Sequence, residues 1–358
     1  MKNLIEQNRK LEAGQCRKHD RKLVNQWKET RLGYAVSKFL AFLIIYMVSA
    51  VLMEGIIILI LQGMGYDALH GEVPQGISQG LYQSQNEFQE MFAGLLPLYG
   101  FIRFAVVTIL YMHCIEKRPW KEYGIIFSGK TIRQFLRRAI EGAILVAIII
   151  LLLVSLQEYQ FAGIHYEREQ GQWVLLTLGA YLIQGSTKEL MCRGFLQNSL
   201  CAKINEKTAI LITAIVFMIP HLGSIITMDG GLAAIAVANV ILVSILFSLV
   251  MIKDHNLLSA CGLHIGWNYM LGSIMGLQVS GGTVAADHTV TAGQGTEDSV
   301  AGIIQMQLMN SGEKVWLTGG AYGIEASVML TITLLILDAF IINKIRSLRK
   351  SDRGLVEG

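Results

Sequence analysis

Residues 231–252 read GLAAIAVANVILVSILFSLVMI, a run without a single charged side chain. At 1.5 Å per residue a helix of this length covers about 30 Å, the thickness of the hydrocarbon core of a bilayer. In lipid such a helix satisfies its own backbone, which makes it a spanning element rather than a soluble core. The same reading extends outward along the chain. Further apolar stretches lie at about 39 to 62, 92 to 114, 138 to 157, 173 to 196, 209 to 228, 257 to 276 and 324 to 343, making eight expected spans.

The composition agrees with that reading. With 53% hydrophobic and 16% charged residues, 358 positions are too apolar for an ordinary soluble domain. The expected fold class is all-α, a polytopic membrane helix bundle of about eight transmembrane helices. An even number of spans puts both termini on one side, and basic residues identify that side. Of 30 Lys and Arg, 25 fall in segments 1–38, 115–138, 197–208, 253–256 and 344–358, which share one face. The other face holds only Arg168 and Lys314, while Arg103, Lys188 and Arg193 lie within spans. Both termini are therefore expected to be cytoplasmic.

The chain divides into a basic cytoplasmic segment, 1–38, a membrane domain, 39–343, and a basic tail, 344–358. The first span begins too late and runs too long for a cleaved signal, and is expected to remain as an anchor. The external loops 63–91 and 277–323 are rich in Gly, Gln and Ser, with little structure of their own expected and a lid over the bundle as their natural resting place. No internal repeat is visible, which argues against the duplicated halves of secondary transporters. The partners expected are the lipid bilayer and a peptide or membrane-protein substrate, with no nucleic acid.

Cysteine chemistry does not emerge. Cys16, Cys114, Cys192, Cys201 and Cys261 fall in cytoplasmic stretches or spans, and none forms a C-x-x-C pair.

Three polar clusters interrupt the apolar spans: Lys188 and Glu189 with Arg193, Phe217 with His221, and His264 with Asn268. Ionisable groups at bilayer depth cost roughly 2.5–3.5 kcal/mol each, so they mark a site. Glu189 and Arg193, Phe217 and His221, and His264 and Asn268 are each four residues apart, which puts each pair on one helix face. A carboxylate and an imidazole can hold and deprotonate water, while a second imidazole and an amide can stabilise an oxyanion. The same donors also make a His2Glu set, Glu189, His221 and His264, for one divalent metal such as zinc. Spacing leaves both mechanisms open. Arg193 is expected to orient Glu189 and keep it ionised.

The run Glu189-Leu190-Met191-Cys192-Arg193-Gly194-Phe195-Leu196, then Phe217 to His221, then His264 to Asn268, resembles the three motifs of the CPBP family of intramembrane endopeptidases. That family includes the type II CAAX prenyl endopeptidases and bacteriocin-processing and self-immunity proteins. The resemblance covers a core of 173–276. It implies hydrolysis of peptide bonds within the membrane, a metalloprotease-like or glutamate-based site, and a multi-pass location in a bacterial plasma membrane. It also implies that His221 activates water with the first of two motif glutamates, and that His264 and Asn268 stabilise the oxyanion. Here Lys188 stands at the position of that first glutamate, and an ammonium is no general base while protonated. Two readings follow: a peptidase in which Glu189 takes over as base, or a catalytically impaired pseudoprotease serving as a membrane scaffold, regulator or bacteriocin-immunity protein.

Outside these clusters, Glu54 and Arg103 are expected to pair at similar depth. Glu325 and Asp338 lie near span ends and are expected to reach the interface. His70, His165 and His288 read as solvated loop residues.

Overall fold

A computed structural model describes residues 30–63, 95, 98–164, 168–281, 302–309 and 314–357. It is mostly helical. In chain order the elements are α1 (Arg31–Gly63), α2 (Ile102–Tyr111) with a π turn Met112–Glu116, α3 (Gly129–Ser155) and strand β1 (Tyr159–Ile164). Helix α4 (Arg168–Glu189) passes through a π segment (Leu190–Gln197) into α5 (Asn198–Cys201). Then come α6 (Glu206–Met218), a 3-10 turn (Ile219–His221), α7 (Leu222–Ile225), α8 (Gly230–Asp254) and α9 (Leu257–Tyr269) with a π turn Met270–Ile274. Strand β2 (Ile304–Leu308), α10 (Val315–Thr318), 3-10 turns Gly320–Tyr322 and Ile324–Ala326, and α11 (Val328–Glu357) complete the described chain.

Five helical stretches among the described residues are long and apolar enough to cross a membrane: Gly33–Leu52, Gly129–Ser155, Glu206–Ile225, Gly230–Asp254 and Val328–Ser351. They coincide with five of the expected apolar runs. The runs at 173–196 and 257–276 are also helical, but they carry the polar side chains of the site described below. Four of the helices start where the chain supplies caps. Ser128 and Thr131 form a reciprocal capping box at α3, and the side chains of Asn205, Asp229 and Asn256 accept from the first turns of α6, α8 and α9.

Helix α9 is the axis of the bundle: every residue from Ser259 to Asn268 is buried. One of its faces is made of glycine. A β-carbon on Gly262 would lie 2.3 Å from the Phe135 carbonyl oxygen, and one on Gly266 only 1.9 Å from that of Ala139. From the α3 side, a β-carbon on Gly142 would lie 2.3 Å from the Leu263 carbonyl oxygen. The two backbones therefore meet with no side chain between them, the small-xxx-small packing that lipid-embedded helices use. At one end of this pair the Arg138 guanidinium clasps Asp254 with bonds of 2.8 and 3.0 Å, tying the end of α8 to α3.

The segments between the spans hold more structure than their composition suggests. Strands β1 and β2 pair antiparallel, with Tyr159 opposite Leu308 and Ile164 opposite Ile304. Buried Glu158 accepts from Lys314 at 2.9 Å beside this ribbon, so an otherwise all-α fold carries a small sheet. The backbone pairing requires two segments far apart in sequence, and neither shows sustained alternation that would announce a strand.

The turns ahead of α11 are pinned from α8. Asn239 donates to the carbonyl oxygens of Glu325 and Ser327, both at 2.9 Å, and accepts from the Thr331 hydroxyl at 2.7 Å. Glu325 is half-buried against α9, with Trp267 donating to it. Asp338 is buried as well, at 6% exposure, because the face of α11 that carries it packs on the bundle. The side chain of Glu54 lies outside the described residues, as do His70, His165, His288 and Cys16. Arg103 bonds its own helix start, the Gly100 carbonyl at 2.6 Å, and lies over the Phe104 ring.

Candidate functional site

The glycine packing of α9 against α3 determines where its other face points. His264 lies between Gly262 and Gly266 in sequence, about 200° around the helix from each, so the face that leaves α3 carries His264 toward α4. Gly185 on α4 makes the approach possible, its absent side chain facing Ile265 and His264.

Glu189 is the last residue of α4 and is wholly buried. One carboxylate oxygen, Oε1, accepts from His264 Nδ1 at 2.8 Å and from Arg193 Nη1 at 3.3 Å. The other, Oε2, has no partner among the described residues. Arg193, also wholly buried, sits in the π segment that begins directly after Glu189. Such widened turns recur at functional sites because they displace side chains from regular helical positions. Its second nitrogen, Nη2, donates to the Ser244 carbonyl oxygen at 2.6 Å and to the Ser244 hydroxyl. Arginine is therefore held by a carboxylate and by α8 at once.

Phe217 is the hub of the cluster. The Arg193 guanidinium lies 4.5 Å from its ring centre, the His221 ring 5.3 Å, the Lys188 ammonium 5.9 Å and the His264 ring 6.0 Å. An aromatic face attracts cations through its quadrupole, so a phenyl ring is a suitable floor for two positive groups in an apolar interior. Phe247 stacks on His264 at 4.8 Å and 17° and fixes that ring from the other side.

His221 Nδ1 lies 3.0 Å from the Phe217 carbonyl oxygen. A carbonyl oxygen only accepts, so the proton sits on Nδ1 and a neutral His221 presents the Nε2 lone pair. Pro220 contributes here, because the α6 helix gives way to a 3-10 turn at Ile219–His221. His264 has the opposite duty: its Nδ1 proton goes to Glu189, and Nε2 donates only when the ring is the imidazolium that an ionised Glu189 stabilises. Asn268, one turn on, donates to Gln184 at 3.1 Å, and its other amide proton and carbonyl oxygen stay uncommitted by that bond.

Of the residues singled out in the sequence, Glu189, Arg193 and His264 are thus in direct contact, while His221 joins them across Phe217 and Asn268 stands on Gln184. The tentative metal set does not gather. Among the described residues no group of three or more His, Cys, Asp or Glu side chains is placed to hold an ion. Glu189 Oε1 is already committed to two donors, one of them cationic, and the His221 Nδ1 proton is directed back onto its own helix.

Lys188 is half-buried, with its ammonium 5.7 Å from the Phe101 ring. Four further residues belong to the site and were not expected there: Gln184, Ser244, Phe247 and Glu325, the last read from the sequence only as a residue near a span end. Gln184 and Ser244 were discoverable by the rule that found the others, being polar groups inside apolar runs. Glu325 was not, because nothing in a turn residue far along the chain announces which helix it leans on.

With this arrangement in view, residues 170–270 match the family model described as type II CAAX prenyl endopeptidase Rce1-like. Comparison with curated proteins and with solved structures finds no match. The matched segment holds every polar side chain of the cluster apart from Glu325, and over that segment the chain is similar to the type II CAAX prenyl endopeptidases.

Proposed function

We propose that this protein hydrolyses peptide bonds of a membrane-associated or peptide substrate, in a site made of Glu189, Arg193, His221, His264 and Asn268. The observation that carries the reading is the buried Glu189 carboxylate with one oxygen saturated and the other without a partner among the described residues. An unpartnered carboxylate oxygen in an apolar interior is costly unless it receives a donor, and a water molecule is the donor that hydrolysis needs.

In this reading Glu189 Oε2 accepts one water proton as a hydrogen bond, and the Nε2 lone pair of His221 takes the other as the water oxygen bonds to the scissile carbonyl carbon. The carbonyl oxygen becomes an oxyanion, stabilised by the amide of Asn268 and by His264 as the imidazolium. Collapse of the tetrahedral intermediate breaks the carbon–nitrogen bond, and the proton held on His221 passes to the departing amine. Arg193 pairs with Glu189 and holds its orientation through Ser244. No metal ion enters these steps.

The surroundings we infer are eight spans with both termini cytoplasmic, in the plasma membrane of a bacterium. The basic residues supply the support: 25 of 30 lie in segments that share one face under that topology.

One observation favours a second reading. Lys188 occupies the position of the family's first glutamate and brings an ammonium beside Phe217 and the two histidines. In this alternative the protein is a pseudoprotease that binds peptides or membrane partners without cleaving them, acting as scaffold, regulator or immunity protein. The decisive experiment reconstitutes the full chain in vesicles and follows cleavage of a fluorogenic farnesylated CAAX-type peptide and of labelled casein. Cleavage by the parent that vanishes in His221→Ala supports the peptidase. No cleavage by the parent, with activity appearing in Lys188→Glu, supports the pseudoprotease. A parent activity lost to a chelator and restored by zinc would overturn the metal-free mechanism.

A further inference from the structure

The β1–β2 ribbon is amphipathic, and a single extra residue makes it so. Residues directly opposite each other in an antiparallel pair project from the same face of the sheet. Tyr159 stands opposite Leu308 and Phe161 opposite Met306; beyond a register shift between Phe161 and Gly163, Ile164 stands opposite Ile304. On an unbroken strand Phe161 and Ile164, an odd number of positions apart, would project to opposite faces. The bulge at Ala162 returns Ile164 to the face of Phe161, so all of these apolar side chains share it. The reverse face carries Gln160 opposite Gln307, and Gln305 opposite Gly163. Neither strand contains a charge.

The bundle covers only part of the apolar face. Tyr159 is buried and Met306 packs against the core, but Phe161, Ile164 and Leu308 are 54, 70 and 40% exposed. Helix α3, which leads into β1, shows what lies against them. Its exposed side chains Ile140, Ile144, Ile148 and Leu151 recur every three or four residues, an apolar stripe along a helix of bilayer length. Leu156, the residue that closes the helix, is exposed as well and carries that surface toward the ribbon. The connection is short and bonded: the Glu158 amide donates to the Leu153 carbonyl oxygen and the Met309 amide to that of Glu158, both at 3.0 Å. The ribbon is thereby held at the level where α3 leaves the hydrocarbon. It sits no deeper, because the outer edges of a two-stranded sheet bear amide and carbonyl groups that need water or headgroups. Lys314, bonded to Glu158 at the base of the ribbon, and the exposed Trp316 are residue types that settle at the polar boundary of a bilayer.

We propose that the β1–β2 ribbon is an interfacial membrane anchor, with Phe161, Ile164 and Leu308 among phospholipid acyl chains just below the headgroups and the glutamines toward water. Lipid is the occupant of the apolar face because that face continues the exposed stripe of α3 and, being uncharged, asks for no charged partner. Lying between α3 and α4 in the chain, the anchor fixes the height of both helices in the bilayer, and with α4 the depth of Glu189 at its end. This placement does not depend on whether the protein cleaves peptides.

The test attaches a nitrobenzoxadiazole label to single introduced cysteines of the full chain in phosphatidylcholine nanodiscs. The background is Cys16→Ser/Cys114→Ser, which leaves only the buried Cys192, Cys201 and Cys261. Labels at Ile164→Cys and Phe161→Cys report the apolar face, and labels at Gln307→Cys and Gln160→Cys the reverse face, so the loss of one variant to misfolding leaves the comparison intact. Lipids brominated just below the headgroup are expected to quench the apolar-face labels at least about 2-fold more than the reverse-face labels, with aqueous iodide giving the opposite order. Equal quenching of both faces by iodide overturns the proposal, since the ribbon would stand in water. Apolar-face labels shielded from bromine and iodide alike overturn it too, because a second copy or another segment of the chain would then cover the face. Stronger quenching by bromines at the bilayer centre than by those near the headgroup overturns the interfacial depth.

Discussion

Helix α9 meets its two neighbours by opposite means. Toward α3 it offers Gly262 and Gly266, and the backbones come together with nothing between them. Toward α4 it offers His264 and Asn268, which hydrogen-bond Glu189 and Gln184. The first face has no alternative conformation that still packs, because both partners are backbone. The second is a set of side chains with spare donors, acceptors and one open oxygen. A rigid face and a chemically unfinished face on one helix divide the labour: the glycine seam fixes the helix so that the polar side can remain incompletely satisfied.

The seam should break first and hardest. In Gly266→Ala the new methyl group would lie 1.9 Å from the Ala139 carbonyl oxygen, which no rotamer change relieves. The helices must separate, and we expect a loss of ~3 kcal/mol or more, read as a lower Tm in detergent and a depleted monodisperse peak. Wild-type stability in this variant would show that the two backbones are not in fact closely apposed.

The polar face should break next, and differently. Glu189→Gln leaves Arg193 buried without its anion and deprives His264 of a charged partner. Removing one member of a buried pair typically costs about 3–5 kcal/mol, with the lower figure expected here because the amide oxygen still accepts. Cleavage should be abolished even under conditions where the variant is still folded, which separates this face from the seam. Retained cleavage would remove Glu189 from the proposed mechanism.

Lys188→Glu sharpens the contrast by adding chemistry without touching the seam. It returns a carboxylate to the first motif position, and on either reading cleavage of the farnesylated peptide should rise, by about 10-fold if a parent activity exists. A fall in cleavage would show that Lys188 itself has a catalytic part.

Much of this was readable from residue order, for physical reasons that differ along the chain. The run at 231–252 became α8 because an uncharged stretch of bilayer length has few other folded options. The contact of Glu189 with Arg193 followed from their spacing, although the π segment between them did not, since a widened turn reflects packing against α8 and leaves no compositional trace. His264 reached Glu189 because polar groups in lipid-facing helices turn inward to find one another. The tautomer of His221 was not legible, because it depends on the Nδ1 contact with the carbonyl one turn back on its own helix. Glu325 and the β1–β2 ribbon were out of reach because each depends on a pairing between distant loops. The glycine seam was present in the sequence as Gly262 and Gly266, but only the structure shows that α3 is the helix it receives.

The mildest change asks whether glycine matters equally on both sides of α9. Gly185 on α4 faces the polar side, where a β-carbon would come within 2.8 Å of Ile265 Cγ1 and 3.7 Å of His264 Cγ. The nearest obstacle is here a movable side-chain carbon rather than a backbone oxygen, so a rotation of Ile265 relieves it at a cost of about 1 kcal/mol. Replacing a helix-interior glycine by alanine returns a similar amount, roughly 1 kcal/mol, by reducing the freedom of the unfolded chain. Gly185→Ala should therefore leave Tm within a few degrees of the parent, while the same replacement at Gly266 does not. Any change in cleavage should be small and should track the His264 ring, which the new methyl group touches at ordinary van der Waals distance. Equal destabilisation by the two alanines, measured side by side in one detergent, would mean that α9 is gripped as rigidly by α4 as by α3, and that the division between its faces does not exist.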